Sequence, residues 1–458
     1  MIPLPNAFRL LLFTLSLNLF CSEIQAFQLR IELGDEREFR LQSNTFLFGH
    51  HINQRALIDS SFSNNSIVFE LSDKLPKGLY SVMIYTDMKD AEDKYQRLGF
   101  DVILSGVDVM LNVEVKPDHT FGMVDASNGE NFGYYRHFNT NLIRFNRIKA
   151  IQQAIMDYPE GNEFHARMVN HEKELQQELD NASSSIQESA KYPIAEFYFQ
   201  CQQSVQNRSL DKVNFADPLF KNSQYIPVFV GEYLAEEDNL NLSLSTRNQM
   251  LFTRLNNLIS KLKVDQEVYA RMLPQLVSDY ERLGRHEVVL HLNEKYALET
   301  SCENPEALER IKSKNESLKK VLLGEVAPDF SLGEFNVASS LHSILSKHTL
   351  VVFWESTCPH CQDLTSQLAK FYDPNRRFEL EVVAVSLDSS ITKYDSYLSL
   401  QKWKWLNINE PKGWDSDVVS KYSIASTPSL FLLDKQKRIV AKPRSVEELK
   451  SYLSTLEK

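Results

Sequence analysis

Residues 349–361 read Thr-Leu-Val-Val-Phe-Trp-Glu-Ser-Thr-Cys-Pro-His-Cys, and this stretch constrains the fold more than any other. An apolar β-type run leads into two cysteines, Cys358 and Cys361, and a helical pattern follows from Gln362 to about Tyr372. The reading is strand, tight turn, helix, with a Cys-x-x-Cys on the turn. Two thiols at this spacing can close a small disulfide within one helical turn. Cys358 then lies where unpaired N–H groups and the helix dipole favour a thiolate. Cys361, one turn further in, is placed to resolve a mixed disulfide. Zinc would need four ligands. No second close cysteine pair exists among Cys21, Cys201, Cys302, Cys358 and Cys361, so no metal and no organic cofactor is expected.

A chain of 458 residues has room for two to four domains. Hydrophobic content of 43% with 24% charged residues is that of a folded globular protein, and a net charge of −11 argues against nucleic acid as a partner. The N-terminus has the layout of a cleaved secretory signal: Arg9, an apolar core from Leu10 to Phe20, then Ser22 to Gln25 and a cleavage point after Ala26. The core is shorter than the ~20 residues needed to cross a bilayer. Cys21 offers a lipidated alternative, but Phe20 before it is bulkier than a lipoprotein signal uses, so membrane anchoring is expected only if Cys21 is lipidated. The expected location is the periplasm of a Gram-negative bacterium. Removal of residues 1–26 leaves four cysteines, of which Cys201 and Cys302 are either a structural disulfide or two buried free thiols.

Along the mature chain, period-two runs at Phe27–Leu33, Ile67–Leu71, Tyr80–Tyr85 and Val109–Val115 predict an all-β sandwich domain over 27–117. His50 and His51 are neighbours in an extended stretch and point to opposite faces, which disfavours a shared metal. Pro117 to Asn131 reads as a linker. Apolar residues then recur at helical spacing, and an all-α domain is expected over 135–320, with Gly284 ending one helix. From 322 to 458 the pattern alternates strand and helix and ends in a hairpin and a helix, which predicts an α/β unit. Within it, Ser426-Thr427-Pro428-Ser429 precedes a strand. Pro428 is a candidate for a cis peptide that turns the backbone of Thr427 toward Cys358 and frees its N–H and C=O for an incoming peptide.

These pieces together resemble the TlpA-like thioredoxin family. The likeness rests on Gly324-x-x-Ala327-Pro328-Asp329-Phe330, Phe353-Trp354, Cys358-Pro359-His360-Cys361, Tyr422-x-Ile424, Thr427-Pro428 and Asp434 with Ile439. A weaker likeness, at Ile58–Ser61 and Asn65–Glu70, is to the β-domain that precedes such modules in exported bacterial proteins. The resemblance implies a thioredoxin fold for the last ~135 residues. It implies thiol–disulfide exchange with Cys358 as nucleophile and Cys361 as resolving thiol, and substrate contacts at Thr427, Pro428 and Trp354. Pro359 and His360 are the expected redox-tuning residues, because their dipeptide resembles that of DsbA-type oxidants and an imidazolium beside the sulfur stabilises the reduced form. The implied partners are protein thiols and disulfides, and a redox partner that recycles the dithiol.

Four positions depart from the pattern. Thr357 replaces the tryptophan before the first cysteine, and Val352 stands where thioredoxins carry a buried Asp. Leu364 and Ser366 stand where many TlpA-like proteins have Glu and Pro. The carboxylate that takes the proton of the second cysteine is therefore missing from both expected places. Glu355 is a candidate substitute, though the plainer reading of it is a solvated side chain. Two other functions stay open: a binding or assembly protein with an accessory redox module, and a thiol peroxidase. The second is disfavoured because the Thr and Pro that peroxidases place ahead of their cysteine are here Glu355 and Val351.

Overall fold

The computed structural model describes residues 26–34, 42–89, 95–115, 121–126, 129–156, 158, 161–186, 191–235, 244–298, 304–333, 338–373, 376 and 379–456. The apolar signal core, Cys21 and Cys302 lie outside them, and Ala26 is the first residue of the first strand. The chain forms two compact units, residues 1–237 with 254–271, and residues 238–253 with 272–458. The expected helical stretch therefore contributes to both.

Among the described residues the first unit begins with eight strands: β1 Ala26–Leu33, β2 Ser43–His51, β3 Gln54–Ser63, β4 Ser66–Ser72, β5 Gly78–Lys89, β6 Tyr95–Leu104, β7 Val109–Val115 and β8 Phe121–Ala126. They make two four-stranded sheets, ordered β4-β1-β7-β8 and β3-β2-β5-β6. The period-two runs do what such runs should. Phe27, Leu29, Ile31 and Leu33 of β1 are buried, as are Val109, Leu111, Val113 and Val115 of β7, while residues between them are more exposed. The presumed linker 117–131 holds β8, which pairs antiparallel with β7 and buries Val124 and Ala126. The polar residues on either side of it, Asp118, His119, Ser127 and Asn128, made the stretch read as a linker.

Helices α1 Gly129–Met156, α2 Glu163–Ile186, α3 Pro193–Gln206, α4 Pro218–Lys221 and α5 Tyr225–Leu234 follow. His50 and His51 do diverge: His50 Nε2 meets Ser81 Oγ at 2.9 Å, whereas His51 bonds Asn222 and Glu267. Cys201 is a free thiol on the buried face of α3, and Cys302 lies outside the described residues. Burial, then the charge of Asp217, pushes the Cys201 pKa well up, so the thiol form is held in an apolar site.

Two further helices, α6 Leu244–Leu262 and α7 Gln266–Arg282, contribute residues to each unit. Gly284, at φ +65°, supplies the left-handed residue after α7. In the second unit come α8 His286–Leu292, α9 Pro305–Lys319, β9 His348–Trp354, α10 Pro359–Phe371, β10 Leu380–Ser386, α11 Ile391–Ser399, β11 Leu406–Asn409, α12 Asp417–Tyr422, β12 Ser429–Leu433, β13 Ile439–Ala441 and α13 Val446–Leu456. The sheet order is β11-β10-β9-β12-β13; β9 runs parallel to β10 and antiparallel to β12. Every residue of β9 is buried. Val351 and Phe353 face one core with Val383, Val385 and Phe431, and Leu350, Val352 and Trp354 face the other with Leu364 and Leu368. Cores on both faces explain why this strand reads as a continuous apolar run. The all-β start, the helical middle and the α/β end thus match the expected fold class.

Candidate active site

The central strand β9 ends at Trp354, and the chain turns through Glu355–Thr357 into α10. Cys358 is the N-cap of that helix, with Pro359 in its first turn, where a missing N–H costs nothing. The Cys358 sulfur accepts a hydrogen bond from the Cys361 N–H at 3.2 Å. The sulfur thus takes the place of a side-chain cap on the first turn of the helix. Cys358 is half-buried, Cys361 fully buried, and both are free thiols. Burial, followed by the hydrogen bond to Cys358, pushes the Cys361 thiol up to about 12. The two sulfurs differ: one can be reached from outside, and the other is buried and held as the thiol.

The second half of the site comes from the loop before β12. The Thr427–Pro428 peptide is cis. The Thr427 carbonyl accepts from the Cys358 thiol at 3.7 Å, so loop and dithiol face each other across the end of the sheet. Beside them opens a cavity of about 450 Å³, lined by His360, Thr427 and Pro428 on one side and by Arg282, Arg285 and His286 on another. All of these residues belong to the second unit. The Arg282 carbonyl accepts from Ser426 Oγ at 2.5 Å, which ties the end of α7 to the cis-proline loop. Deeper in, Lys442 donates to His286 Nδ1 at 2.9 Å and to Glu287 at 3.1 Å, and His286 Nε2 meets the Ser423 carbonyl. Burial, then Lys442, holds His286 well below its usual pKa, so it is the neutral imidazole that receives the lysine.

The turn is anchored from below by Asp388, a buried carboxylate that sequence reasoning missed. It accepts from Ser356 N–H at 2.9 Å, Ser356 Oγ at 2.8 Å and Ser386 Oγ at 2.7 Å. The signal that could have found it is an acidic residue two positions past the end of the apolar strand β10. The Lys442–His286–Glu287 cluster has no comparable local signature, since Lys442 lies 155 residues from Glu287 and 156 from His286.

Two sequence expectations change. Trp354 is fully buried among Tyr394, Tyr397 and Trp403, so it cannot be the substrate contact it was expected to be. A strand with a core on each face leaves none of its side chains at the surface. Glu355 is not a simple solvated side chain either: its two oxygens accept from Trp414 Nε1 at 3.1 Å and from Thr427 Oγ1 at 3.2 Å. His360 is exposed and lines the cavity. Cys302 lies outside the described residues.

Residues 346–439 match the family model described as thioredoxin-like. A solved domain from Cytophaga hutchinsonii is 31% identical, covering 30% of this chain and 93% of that one, with a TM-score of 0.27. The C-terminal domain is thioredoxin-like. The thiol–disulfide oxidoreductase ResA of Bacillus cereus is 22% identical over 142 residues, 30% of this chain and 80% of that protein. The sporulation thiol–disulfide oxidoreductase A of Bacillus subtilis is 26% identical over 110 residues, 23% of this chain and 65% of that protein. The thioredoxin domain of a thiol–disulfide oxidoreductase from Bacteroides vulgatus is 28% identical, covering 30% of this chain and 96% of that one, with a TM-score of 0.27. Relatives so named support oxidoreductase chemistry for this domain.

Proposed function

We propose that the chain is an exported thiol–disulfide oxidoreductase of protein substrates, with Cys358 as the exchanging thiol and Cys361 as the resolving one. The observation that carries the reading is the pairing of a reachable sulfur at a helix N-terminus with a buried second thiol, opposite the Thr427–Pro428 loop. In one direction the Cys358 thiolate attacks a substrate disulfide, a mixed disulfide forms, and Cys361 displaces the substrate as a thiol. In the other, a substrate thiolate attacks the Cys358–Cys361 disulfide, and a second substrate thiol releases Cys358. Either way two electrons pass between the protein dithiol and a substrate disulfide, and a redox partner restores the starting state.

The cavity beside Pro428 is the reading's place for the substrate backbone, with Thr427 as its hydrogen-bonding neighbour and Pro359 and His360 as the tuning pair. The signal-like layout of residues 1–26 supports export. Among the described residues no helix is long and apolar enough to cross a membrane. The test is trapping. Cys361→Ser should accumulate a mixed disulfide with a reduced-and-reoxidised model protein, and Cys358→Ser should accumulate none. Equal trapping by the two variants would sink the assignment of roles. The mass of the mature protein from an exporting host checks cleavage after Ala26.

A further inference from the structure

The cavity beside the cis-proline loop is lined by five cations, Arg247, Arg282, Arg285, Lys442 and Arg444, and all five lie outside the thioredoxin-like stretch 346–439. Four carboxylates share its walls: Glu287, Asp363, Glu447 and Glu448. Burial sorts these charges. At the rim, exposed Arg282 and Arg444 stand against exposed Asp363 and Glu447. In the wall, Arg247, Arg285 and the Lys442 side chain are 8%, 9% and 9% exposed, and these three cations share two carboxylates, Glu287 and Glu448. Lys442 holds Glu287 at 3.1 Å. Glu448 accepts from the Arg444 backbone N–H at 2.8 Å and lies 3.7 Å from Arg247. The hydrogen bond that Arg247 donates goes to a neutral group, the Tyr452 hydroxyl at 3.1 Å. Its Nε–H is buried with no hydrogen-bond partner among the described residues. A guanidinium has five N–H donors in a fork that matches a carboxylate. Arg247 has a carboxylate only at a distance, and shares it with Arg444.

We propose that this cavity is a subsite for a carboxylate side chain of the substrate, and that Arg247 makes the Cys358 site favour peptides with Asp or Glu within a few residues of the reacting cysteine. The proposal rests on the dithiol function above. Three cations beside two carboxylates leave the wall one positive charge over, and a buried charge is costly until an anion joins it. The position suits a residue flanking the disulfide. The Thr427 carbonyl lies 3.7 Å from the Cys358 sulfur, and Thr427 and Pro428 line the cavity, so a chain bonded to Cys358 has the cavity at its side. A volume of about 450 Å³ falls within the roughly 300–1,000 Å³ of pockets that hold small ligands, which is room for one acidic side chain and its backbone. Pro428 and Pro443 add apolar wall for its methylene groups. Tyr452 and Glu448 hold the Arg247 head in place before the substrate arrives, which lowers the ordering cost of binding. Because the five cations lie outside the thioredoxin-like stretch, the preference belongs to this chain's own surrounding segments.

The experiment mixes reduced full-length protein with single-cysteine peptides, each activated as a mixed disulfide with a coloured aromatic thiol. The Cys358 sulfur bonds to the peptide sulfur, and the aromatic thiolate leaves with the electron pair. Glu is placed one, two or three residues from the cysteine on either side, and each peptide is paired with its Gln counterpart. At the best position the Glu peptide should react about tenfold faster than the Gln peptide, the low end of what a charge-assisted hydrogen bond contributes. The ratio of the two rates within one variant is the readout, so any general loss of folded protein cancels. Arg247→Gln should bring that ratio close to one, and Arg285→Gln should lower it by less. Arg167→Gln, which removes an exposed charge from the first unit, should keep the wild-type ratio. A wild-type ratio near one at every position overturns the subsite and leaves the dithiol reading standing. So does an Arg247→Gln ratio equal to the wild type's, or an equal loss in Arg167→Gln, which would trace the preference to net charge. A glutathionyl disulfide that gains from Arg247 where no Glu peptide does overturns the peptide as the source of the carboxylate. A wild type that releases no aromatic thiolate from any peptide overturns both readings.

Discussion

The two units bury polar and sulfur groups in opposite ways. In the N-terminal sheets the polar groups close on one another. Asp101 accepts from Ser81 Oγ and Gln224 Nε2, Ser81 also meets His50, and the Asp101 carbonyl accepts from Tyr135. Cys201 is sealed into the same unit with its pKa driven up. At the end of β9 in the second unit the groups stay open: a half-buried Cys358, a facing Thr427 carbonyl, and Glu355 between Thr427 and Trp414. On the proposed function the same group is inert in one setting and exchangeable in the other. Placement at a strand end and helix N-terminus, not residue type, makes the difference.

The sharpest way to break this contrast is to swap serine for sulfur in each region. Cys358→Ser should reduce disulfide exchange to background, whereas Cys201→Ser should leave it at the wild-type level, measured as turnover of a fluorescent protein disulfide. Activity that followed Cys201 would overturn the contrast between the units.

The next largest effect is on stability. Asp388→Ala leaves the Ser356 N–H and two hydroxyls without their acceptor, which should cost about 1–3 kcal/mol. Denaturation followed by tryptophan fluorescence reads this directly, because Trp354, Trp403, Trp405 and Trp414 all lie in the second unit. Asp101 gives the counterpart in the first unit, with pH as the lever. Burial raises its pKa from 3.8 to about 6, against hydrogen bonds from Ser81 and Gln224 and the charge of Arg55. The folded state therefore binds the proton more tightly than the unfolded one. Its contribution is full below about pH 4 and is lost as pH rises to about 6, on the order of 2–3 kcal/mol at ~1.4 kcal/mol per pKa unit. Amide exchange of β5 and β6 should thus quicken between those pH values, and Asp101→Asn should flatten that slope.

The sequence shows how unequal these regions are to read. Continuous apolar runs and a two-cysteine turn made the C-terminal fold and its dithiol legible, because a strand buried on both faces leaves little ambiguity. Alternation marked β1 and β7, but β2 and β3 lie in stretches with no strict period. Every residue of β3 from Gln54 to Ser60 is exposed, so no apolar face existed to be read. Asp388 and the Lys442–His286–Glu287 cluster were hidden for another reason: their meaning depends on partners brought together only by the fold. Trp354 misled because adjacency to the dithiol in sequence says nothing about which face of β9 it occupies.

The smallest predicted effect concerns His360, whose neighbourhood to Cys358 suggested an oxidising dithiol. An imidazolium near the sulfur stabilises the thiolate, hence the reduced form, and raises the reduction potential. Yet the side chain is exposed at the cavity rim, where water and salt screen its charge. His360→Ala should therefore lower the potential by no more than about 30 mV, equivalent to ~1.4 kcal/mol for this two-electron couple. Equilibration with glutathione, followed by tryptophan fluorescence, measures it, and the difference should shrink as ionic strength rises. A shift of more than about 60 mV would mean that the imidazole binds the sulfur directly in solution. A wild-type potential near about −120 mV would then mark a disulfide donor, and one near about −270 mV a reductase fed from outside, whichever way His360 leans.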